Sequence, residues 1–506
     1  MESSSTSDPL EQQTEVVKTP SRGRRFLTWM ARPVSAFVVD LFRIAVACLV
    51  SAYYIRLFLE FRDYTSETGF LDHALHRELF WFTKLSLLFP GSPDWYKWGL
   101  LLVGFAGTLS LLVGWRPKLG AAISWIVVVS FQRWNFAVIN VDDSSITLLL
   151  WWMLFLPIGH ALTIATRDWR QETTLRVDGF FVRAFFANLF IYYLIAGLSK
   201  LGSPLWREGL ALFVVLKLPL ARTSGWWELK DLPLLWLGNH FTLIAEPLFP
   251  FLLLLPRGHW LKYLGAIAQV GFHLGIPITI GVPYANITLI LGLILVFHQE
   301  IDMGVRRLAQ RQGEESTLPW TAPAGTRGLI AVYLAILTLT GTKGLPVIGG
   351  VNEPAMAALY FGGVAQEYHL FDWIDRYNWY VHHTIEVDSE QTATTTVTTD
   401  RLFPGTVRGF IVQSYLLPVR WMRVPRPLTG EMRNSVLQRS AERFVRDNRE
   451  SLGESGRVIV KTKVGRVSRD NLDVHQTWEV ELMTFDYDST GVKGFVYPRM
   501  PGARKV

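Results

Sequence analysis

A lysine closes one of the long apolar runs of this chain and is the first candidate for chemistry. Lys200 ends a stretch of aromatic, aliphatic and small residues that includes Tyr193 and runs to Ser199. A lysine at such a place has two interpretations. Its stem can lie in hydrocarbon while the ammonium reaches water at the bilayer surface. Alternatively, its amine can be desolvated in an apolar pocket, where burial lowers the pKa and leaves a neutral general base.

Other ionisable residues lie in or beside apolar runs, where each is costly and therefore a functional candidate. Asp142 and Asp143 fall in a short segment between two runs. They are either solvated loop acids or carboxylates that share a membrane face with Lys200. His273 and Glu246 lie within apolar runs. For both, helix-packing hydrogen bonds are the main alternative to catalysis.

Metal and nucleotide chemistry have weak support in the sequence. His73 and His76 have helical spacing but no third ligand nearby, and His382 and His383 would point to opposite faces of a strand. The single Cys48 lies in an apolar run and excludes an internal disulfide or a thiolate cluster. The sequence contains no phosphate loop, dinucleotide fingerprint or nucleophile elbow. We therefore predict no metal site.

Composition indicates the solvent around these residues. Of 506 residues, 50% are hydrophobic and 18% are charged, whereas soluble domains carry about 25% charged residues. Apolar runs long enough to cross about 30 Å of hydrocarbon recur along the chain. The fold class predicted is mainly α, with a polytopic helical membrane domain over 34–346 and a smaller C-terminal α/β extramembrane domain. The spans are about nine in number: 34–59, 98–115, 119–135, 144–163, 182–200, 239–256, 260–280, 284–300 and 328–346.

Basic residues between the runs predict the orientation. Arginine and lysine follow the second, fourth, sixth and eighth spans, as expected if the N-terminus is cytoplasmic. The N-terminal segment 1–33 is polar, then basic, and is predicted to be disordered. Lys200, at the end of the fifth span, is then placed at the outer boundary of the membrane. An odd total of spans places the C-terminal domain outside the cytoplasm. The segments 62–95 and 201–238 are predicted to rest at the outer surface, the second as an interfacial or re-entrant element.

The pattern changes in the C-terminal part, 350–506. Alternation of apolar and polar residues predicts strands at 384–387, 458–467 and 477–485, and an amphipathic helix at 433–450. The net charge of +7 lacks a basic stripe with interleaved aromatic residues. Membrane lipid, and not nucleic acid, is therefore the predicted partner of the basic residues. The oligomeric state is not encoded in any pattern we recognise.

The order of these features resembles the vitamin K-dependent γ-glutamyl carboxylases and the wider family of horizontally transferred transmembrane (HTTM) domain proteins. The most specific match is Ile-Ala-Gly-Leu-Ser-Lys-Leu at 195–201, followed by Trp206 and Gly209. It is similar to a carboxylase segment that ends in Lys-Lys-Leu and is followed by Trp and Gly. Weaker matches are Asp40-Leu41-Phe42-Arg43-Ile44, Trp134-Asn135 through Asp142-Asp143-Ser144, Phe272-His273, and Gln366-Glu367-Tyr368-His369-Leu370-Phe371.

The resemblance has departures. Ser199 stands where the carboxylases have the first lysine of the pair, and Asp142-Asp143-Ser144 stands where they have Asn-His-Ser. The chain is also shorter at its C-terminus than the animal enzymes, and it cannot form their intramolecular disulfide.

The function implied by the resemblance is a membrane carboxylase. Oxygenation of vitamin K hydroquinone, or of a menaquinol-type quinol, would use O2 and generate a strong base. That base would remove a γ-proton from a glutamyl side chain of an exported peptide or protein, and the carbanion would capture CO2. By resemblance, the catalytic residues are Lys200, Asp143 and His273, and the quinol-binding residues are Tyr193, Trp206 and Asn135.

Two alternatives remain open at this stage. One is a non-carboxylating relative of the same fold, such as the membrane proteins that mature sporulation-delaying peptide toxins. The other is a membrane scaffold whose C-terminal domain recruits a partner. A transporter is disfavoured because no pair of broken helices occurs in corresponding halves of the sequence.

Overall fold

A computed structural model describes most of the chain from residue 22 onward. The described residues are 22–217, 221–223, 225–310, 315–318, 323–341, 349–365, 377–389, 406, 408–409, 411–412, 430–468 and 474–496. Residues 1–21 of the predicted disordered segment lie outside them, as does the motif-like stretch 366–371. The rest of the N-terminal segment includes a helix.

The described residues are mainly helical, and the helices follow the apolar runs. The helices are α1 (Arg22–Met30), α2 (Ala36–Leu59), α3 (His73–Leu79), α4 (Asp94–Val113), α5 (Pro117–Trp134), α6 (Val141–Phe155), α7 (Trp169–Glu172), α8 (Phe180–Lys200), α9 (Pro204–Arg207), α10 (Ala211–Leu216), α11 (Leu232–Leu253), α12 (Trp260–Thr279), α13 (Pro283–Val296), α14 (His298–Ala309), α15 (Ala324–Gly341), α16 (Gly349–Gly362), α17 (Gly430–Asp447) and α18 (Arg449–Leu452).

Within the described ranges, three helices are long and apolar enough to cross a membrane: α2, α4 and α8. The pair α13 and α14, bent by 65°, would make a fourth if it is one span. Helix α6 has only 15 residues. Helices α11 and α12 carry polar residues that are buried inside the bundle, such as Asn239 and Gln269, as expected where membrane helices bury polar groups against one another. The count of nine spans and their orientation stay predictions.

Asp40 and Arg43 hold one end of the bundle together. The Asp40 carboxylate accepts hydrogen bonds from the backbone N–H of Gly159 at 2.7 Å, and Arg43 donates to the carbonyls of Leu112 at 2.8 Å and Leu162 at 2.7 Å. These bonds satisfy backbone groups where α4 finishes and after α6 finishes. We call this the Arg43 end of the bundle. The opposite Lys200 end is where α2 and α8 finish and α6 and α13 begin.

A small sheet lies at the Arg43 end. It consists of β1 (Val34–Ser35), β2 (Leu175–Val177) and β3 (Ser316–Thr317), in that order. Strand β1 pairs with β2 in antiparallel fashion, and β2 pairs with β3 in parallel. The three strands precede α2, α8 and α15 along the chain, so the sheet joins segments that lead into three helices of the bundle.

The C-terminal part contains a four-stranded antiparallel sheet in the order β4 (Tyr377–Ser389), β5 (Gly456–Ser468), β6 (Val474–Asp488) and β7 (Gly491–Val496). The three predicted strands are confirmed. Strand β7 was not predicted, because this six-residue segment contains two glycines and shows little alternation. The predicted helix is also confirmed, although it begins at Gly430 and is divided into α17 and α18.

This sheet and α17 pack on the Lys200 end. Tyr64 and Phe70, from the segment after α2, share a hydrophobic core with Val436 of α17 and with the sheet. Arg439 of α17 lies 3.9 Å from Asp72. The segment 62–95 forms short helical turns before α4 begins, and it is the surface on which the C-terminal part rests. The C-terminal domain therefore lies at the same end of the bundle as Lys200.

Candidate functional site

A cavity opens at the Lys200 end between α8, α11, α12 and α13. The empty space between these helices, counted together with the open mouth of the cavity, is about 740 Å³. Most of its walls are aliphatic or aromatic. The polar and ionisable residues that line it are Tyr192, Lys200, Thr242, Glu246, His273 and Asn286.

Lys200 forms a buried ion pair with Glu246 of α11. The distance from Nζ to Oε2 is 2.7 Å, and the two side chains are 7% and 9% exposed. Nζ also donates to the carbonyl of Ala196 at 3.1 Å and lies 5.8 Å from the centre of the Trp206 ring. This burial argues against the interpretation in which the ammonium reaches bulk water. The sequence analysis considered a neutral Lys200 amine in an apolar pocket, and it did not include a carboxylate partner such as Glu246.

A close approach of two helices brings this pair together. Gly197 lies against Pro247, and a Cβ at Gly197 would come within 2.7 Å of the Pro247 nitrogen. Gly197 precedes Lys200 by three residues, and Pro247 directly follows Glu246. The lack of a side chain at Gly197 therefore sets the separation of α8 and α11 at the ion pair.

His273 belongs to a hydrogen-bonded chain beside the pair. Its Nδ1 lies 2.8 Å from Asn286 Oδ1, and Asn286 Nδ2 donates to the carbonyl of Val282 at 2.7 Å. The second bond fixes the amide so that its oxygen faces His273. Nδ1 therefore carries the proton and Nε2 is an acceptor. The Tyr193 hydroxyl, 2.6 Å from Nε2, is then the donor.

Trp206 is held at the cavity by the segment between α8 and α11. Its carbonyl accepts a hydrogen bond from Asn239 Nδ2 at 2.7 Å, and Asn239 Oδ1 accepts from the backbone of Leu212 at 3.3 Å. Gly209 has a φ of 82°, a conformation that favours glycine. The segment predicted as interfacial or re-entrant is thus packed against α11 and contributes an aromatic wall.

Asp143 lies in a second buried cluster, at the interface with the C-terminal part. Its Oδ1 accepts hydrogen bonds from the Tyr53 hydroxyl and from Arg408 Nη2, both at 2.6 Å. Arg408 also donates to Glu60 at 3.0 Å, and its side chain is only 2% exposed. Although burial alone would lower it, the charges of Asp143 and Glu60 raise the pKa of Arg408 above its ordinary value. The structure therefore gives Asp143 the contacts of a structural anchor, outside the lining of the cavity.

Asp142 connects the two clusters. Its Oδ1 accepts the backbone N–H of Ala285 at 2.8 Å, and its Oδ2 lies 3.5 Å from Arg56. Ala285 lies in the first turn of α13 and lines the cavity, directly before Asn286. An acid at the first turn of a helix satisfies an otherwise unpaired N–H and complements the helix dipole.

Asn135 lies in the layer under the C-terminal part, where its amide donates to Thr65 Oγ1 at 3.1 Å. It is not among the residues that line the cavity. The neighbouring His73 stacks on Trp134 with ring centres 4.1 Å apart. Burial lowers the pKa of His73 and lowers that of His76 to about 3. In the described part of the chain, no group of three or more His, Cys, Asp or Glu residues is placed to hold a metal ion.

The structure thus brings together four of the six predicted site residues: Lys200, His273, Tyr193 and Trp206. Sequence reasoning named Glu246 but did not pair it with Lys200. It missed Asn286, although a polar residue inside an apolar run is the same signal that selected His273. It also missed Gln269, which lies four residues before His273 and donates to the Tyr193 hydroxyl.

Comparison with known proteins adds no relative: no protein-family model, no curated protein and no solved structure matches this chain. The functional interpretation therefore rests on the residues and their geometry.

Proposed function

We propose that the chain is a membrane enzyme of the vitamin K-dependent carboxylase type, which removes a proton from a lipid-soluble quinol and couples its oxygenation to carboxylation of glutamyl side chains. The observation that carries the proposal is the buried Lys200–Glu246 pair at the wall of a mainly apolar cavity. Ionisable groups are costly at such a place, and this cost makes the pair a candidate for function.

The donor set fits a quinol. A lipid-soluble quinol needs apolar walls for its ring and tail and a few polar groups for its hydroxyls. Lys200 and Glu246 would hold one hydroxyl, His273 and Asn286 offer a second polar position, and Trp206 supplies an aromatic face. When bound, the quinol would supply the electrons that reduce O2. The pair together carries no net charge, which favours a neutral hydroxyl over an anionic headgroup.

The chain's own residues then have distinct tasks. The Lys200–Glu246 pair takes up the hydroxyl proton and compensates the negative charge left on the oxygen. The Asn286–His273–Tyr193 chain keeps the imidazole in one tautomer beside the cavity. The apolar walls exclude water, which strengthens these electrostatic interactions. An exported glutamyl peptide would approach from the Lys200 end, where the C-terminal part also lies.

The test is an assay of purified protein in lipid vesicles with vitamin K hydroquinone or menaquinol, a Glu-containing peptide and labelled bicarbonate. We expect quinone epoxide and label in the peptide, and we expect the Lys200→Ala variant to abolish both. If neither product forms with vitamin K hydroquinone or with menaquinol, the proposal is contradicted. A protein that acts only as a scaffold would instead keep its cellular function in Lys200→Ala and lose it when the C-terminal part is deleted.

A second buried lysine provides a matched control. Lys262 pairs with Glu300 at 3.0 Å, the two side chains are 7% and 15% exposed, and Lys262 Nζ lies 4.6 Å from the Phe297 ring centre. This pair does not line the cavity. Breaking a buried pair costs about 3–5 kcal/mol of stability in either case. If Lys262→Ala keeps the activity that Lys200→Ala loses, the loss reflects chemistry and not stability.

A further inference from the structure

We propose that Glu246, and not Lys200, receives the proton of the bound hydroxyl, while Lys200 stays an ammonium that stabilises the oxyanion. This inference rests on the proposed function only in that the cavity binds a ring with a hydroxyl group. The geometry that points to it is the arrangement of acceptors around Nζ and the position of Glu246 Oε2.

Lys200 is surrounded as an ammonium would be. Its Nζ faces three electron-rich groups: the carbonyl of Ala196 at 3.1 Å, the Glu246 carboxylate at 2.7 Å and the Trp206 ring at 5.8 Å. An ammonium has three donors and no acceptor, so each partner can meet positive charge. A neutral amine has a lone pair, which would have to point at one of these groups. These neighbours favour the ammonium form over a neutral amine.

Glu246 has the complementary property. Its Oε2 is buried and lies 2.7 Å from Nζ as a charge partner, but within the described part of the chain no donor is aligned to give it a hydrogen bond. The side chain also lines the cavity. A carboxylate oxygen with an open acceptor position, beside a fixed positive charge, can receive a proton from a ligand hydroxyl.

The step is a proton transfer without a change of oxidation state. The O–H bond of the ligand breaks, and a new O–H bond forms at Glu246 Oε2. The electron pair stays on the ligand oxygen, which becomes an oxyanion facing the Lys200 ammonium. The total charge of the cavity does not change, because the negative charge moves from Glu246 to the ligand. Such an exchange is favourable in a low-dielectric site, where an added net charge would be costly.

The other titratable groups near the pair are few. Tyr192 and His273 line the cavity from α8 and α12, and Tyr193 lies behind His273 and bonds to it. The proton is therefore exchanged mainly between the Lys200–Glu246 pair and the ligand hydroxyl.

Two substitutions at Lys200 separate the roles. The probe is a nitrophenol with an alkyl chain, whose phenolate form absorbs in the visible range. At one pH unit below the probe's own pKa, we expect the wild type to show the phenolate band on binding. Lys200→Arg should keep the band, because a guanidinium supplies the charge but cannot act as a base. Lys200→Met should lose it. Loss of the band in Lys200→Arg would overturn the inference.

Glu246→Gln tests the acceptor through proton linkage. In the wild type, ligand and pair exchange a proton internally, so probe affinity should not change with pH below the probe's pKa. In Glu246→Gln the proton must leave to solvent, so affinity should rise roughly tenfold per pH unit. A flat profile in Glu246→Gln would show that Lys200 takes up the proton alone and would refute the assignment.

A measurement on the wild type keeps the inference testable if a variant fails to fold. Infrared difference spectra on probe binding should show a new carboxylic-acid C=O band, which shifts if the glutamates are isotope-labelled. Absence of that band while the phenolate forms contradicts the inference. These spectra need no turnover, so a chain without carboxylase activity can still show the carboxylic-acid band. The carboxylase proposal and the assignment of Glu246 as proton acceptor can therefore be refuted independently.

Discussion

Replacement of Arg408 by methionine should release the C-terminal part from the bundle. Arg408 is 2% exposed and donates to two carboxylates, Asp143 at 2.6 Å and Glu60 at 3.0 Å. Without it, the described cation that remains near these acids is Arg56, which lies 3.1 Å from Glu60 and acts on Asp143 only through its charge. Removal of one partner of a buried ion pair costs about 3–5 kcal/mol. Water can reach the acids when the C-terminal part is displaced, so the cost should appear as a larger displaced population.

The magnitude can be read from proteolysis. A cost of this size raises the displaced population by a factor of roughly 10² to 10⁴, since about 1.4 kcal/mol is tenfold. When opening is fast relative to cleavage, the rate of trypsin cleavage within α17 rises by the same factor. Arg443 of α17 bonds to Asp63 in the docked state, so this helix is protected until the C-terminal part is displaced.

Two control variants test whether faster cleavage reflects the loss of the buried ion pairs of Arg408. Arg457 pairs with Asp486 at 3.1 Å, but the side chains are 55% and 67% exposed, so Arg457→Met should cost less than about 1 kcal/mol. Asp143→Asn in the Arg408→Met background should recover part of the protection, because it removes one uncompensated acid. Cleavage that rises no more in Arg408→Met than in Arg457→Met would refute the role assigned to the buried cluster.

Three further predictions address other parts of the chain. Burial lowers the pKa of His76 to about 3 from 6.5, so the unfolded state binds the extra proton and stability falls as the pH drops from 6.5 towards 3. His76→Leu should reduce this slope by about 1.4 kcal/mol per pH unit in denaturant titrations, and an unchanged slope contradicts the assignment. Gly197→Ala should separate α8 from α11, cost about 1–3 kcal/mol and weaken probe binding. Gly271→Ala on α12, where a Cβ would meet nothing within 4 Å, should leave binding unchanged, and equal effects would refute the contact. With the native cysteine replaced, a cysteine at the exposed Thr490 should react with an impermeant reagent added outside cells, whereas one at the exposed Arg170 should react only after permeabilisation. The reverse labelling would invert the topology.

Much of the helical fold could be predicted from the sequence, because hydrophobic length is a local property. The nine apolar runs correspond to helices, and the strands of β4, β5 and β6 show their period of two. The lengths were less predictable: the fourth run was expected to continue to 163, yet α6 ends at Phe155. The residues 157–163 continue the run with Ile158, Ala161 and Leu162, but they also include Pro157 and Gly159, and Gly159 has a φ of 86°, which does not continue a helix.

The site was predictable only in part, because its pairings join distant positions. Lys200 and Glu246 are 46 residues apart, and their contact depends on how α8 meets α11 at Gly197. Asp143 was grouped with Lys200 because both were assigned to one membrane face. The structure places both at that end of the bundle, but Arg408, which is 265 residues away along the chain, engages Asp143. No local pattern marks such a partner.

The small sheet of β1, β2 and β3 has a mechanical consequence for ligand entry. It ties together the bases of α2, α8 and α15, whereas α11 and α12 have no strand in it. Helix α8 is therefore tied at its base to α2 and α15, whereas α11 has no such tie within this sheet. Because Lys200 lies on α8 and Glu246 on α11, a ligand that enters between these two helices would have to separate the two charges, and we expect entry and proton transfer to depend on the same contact.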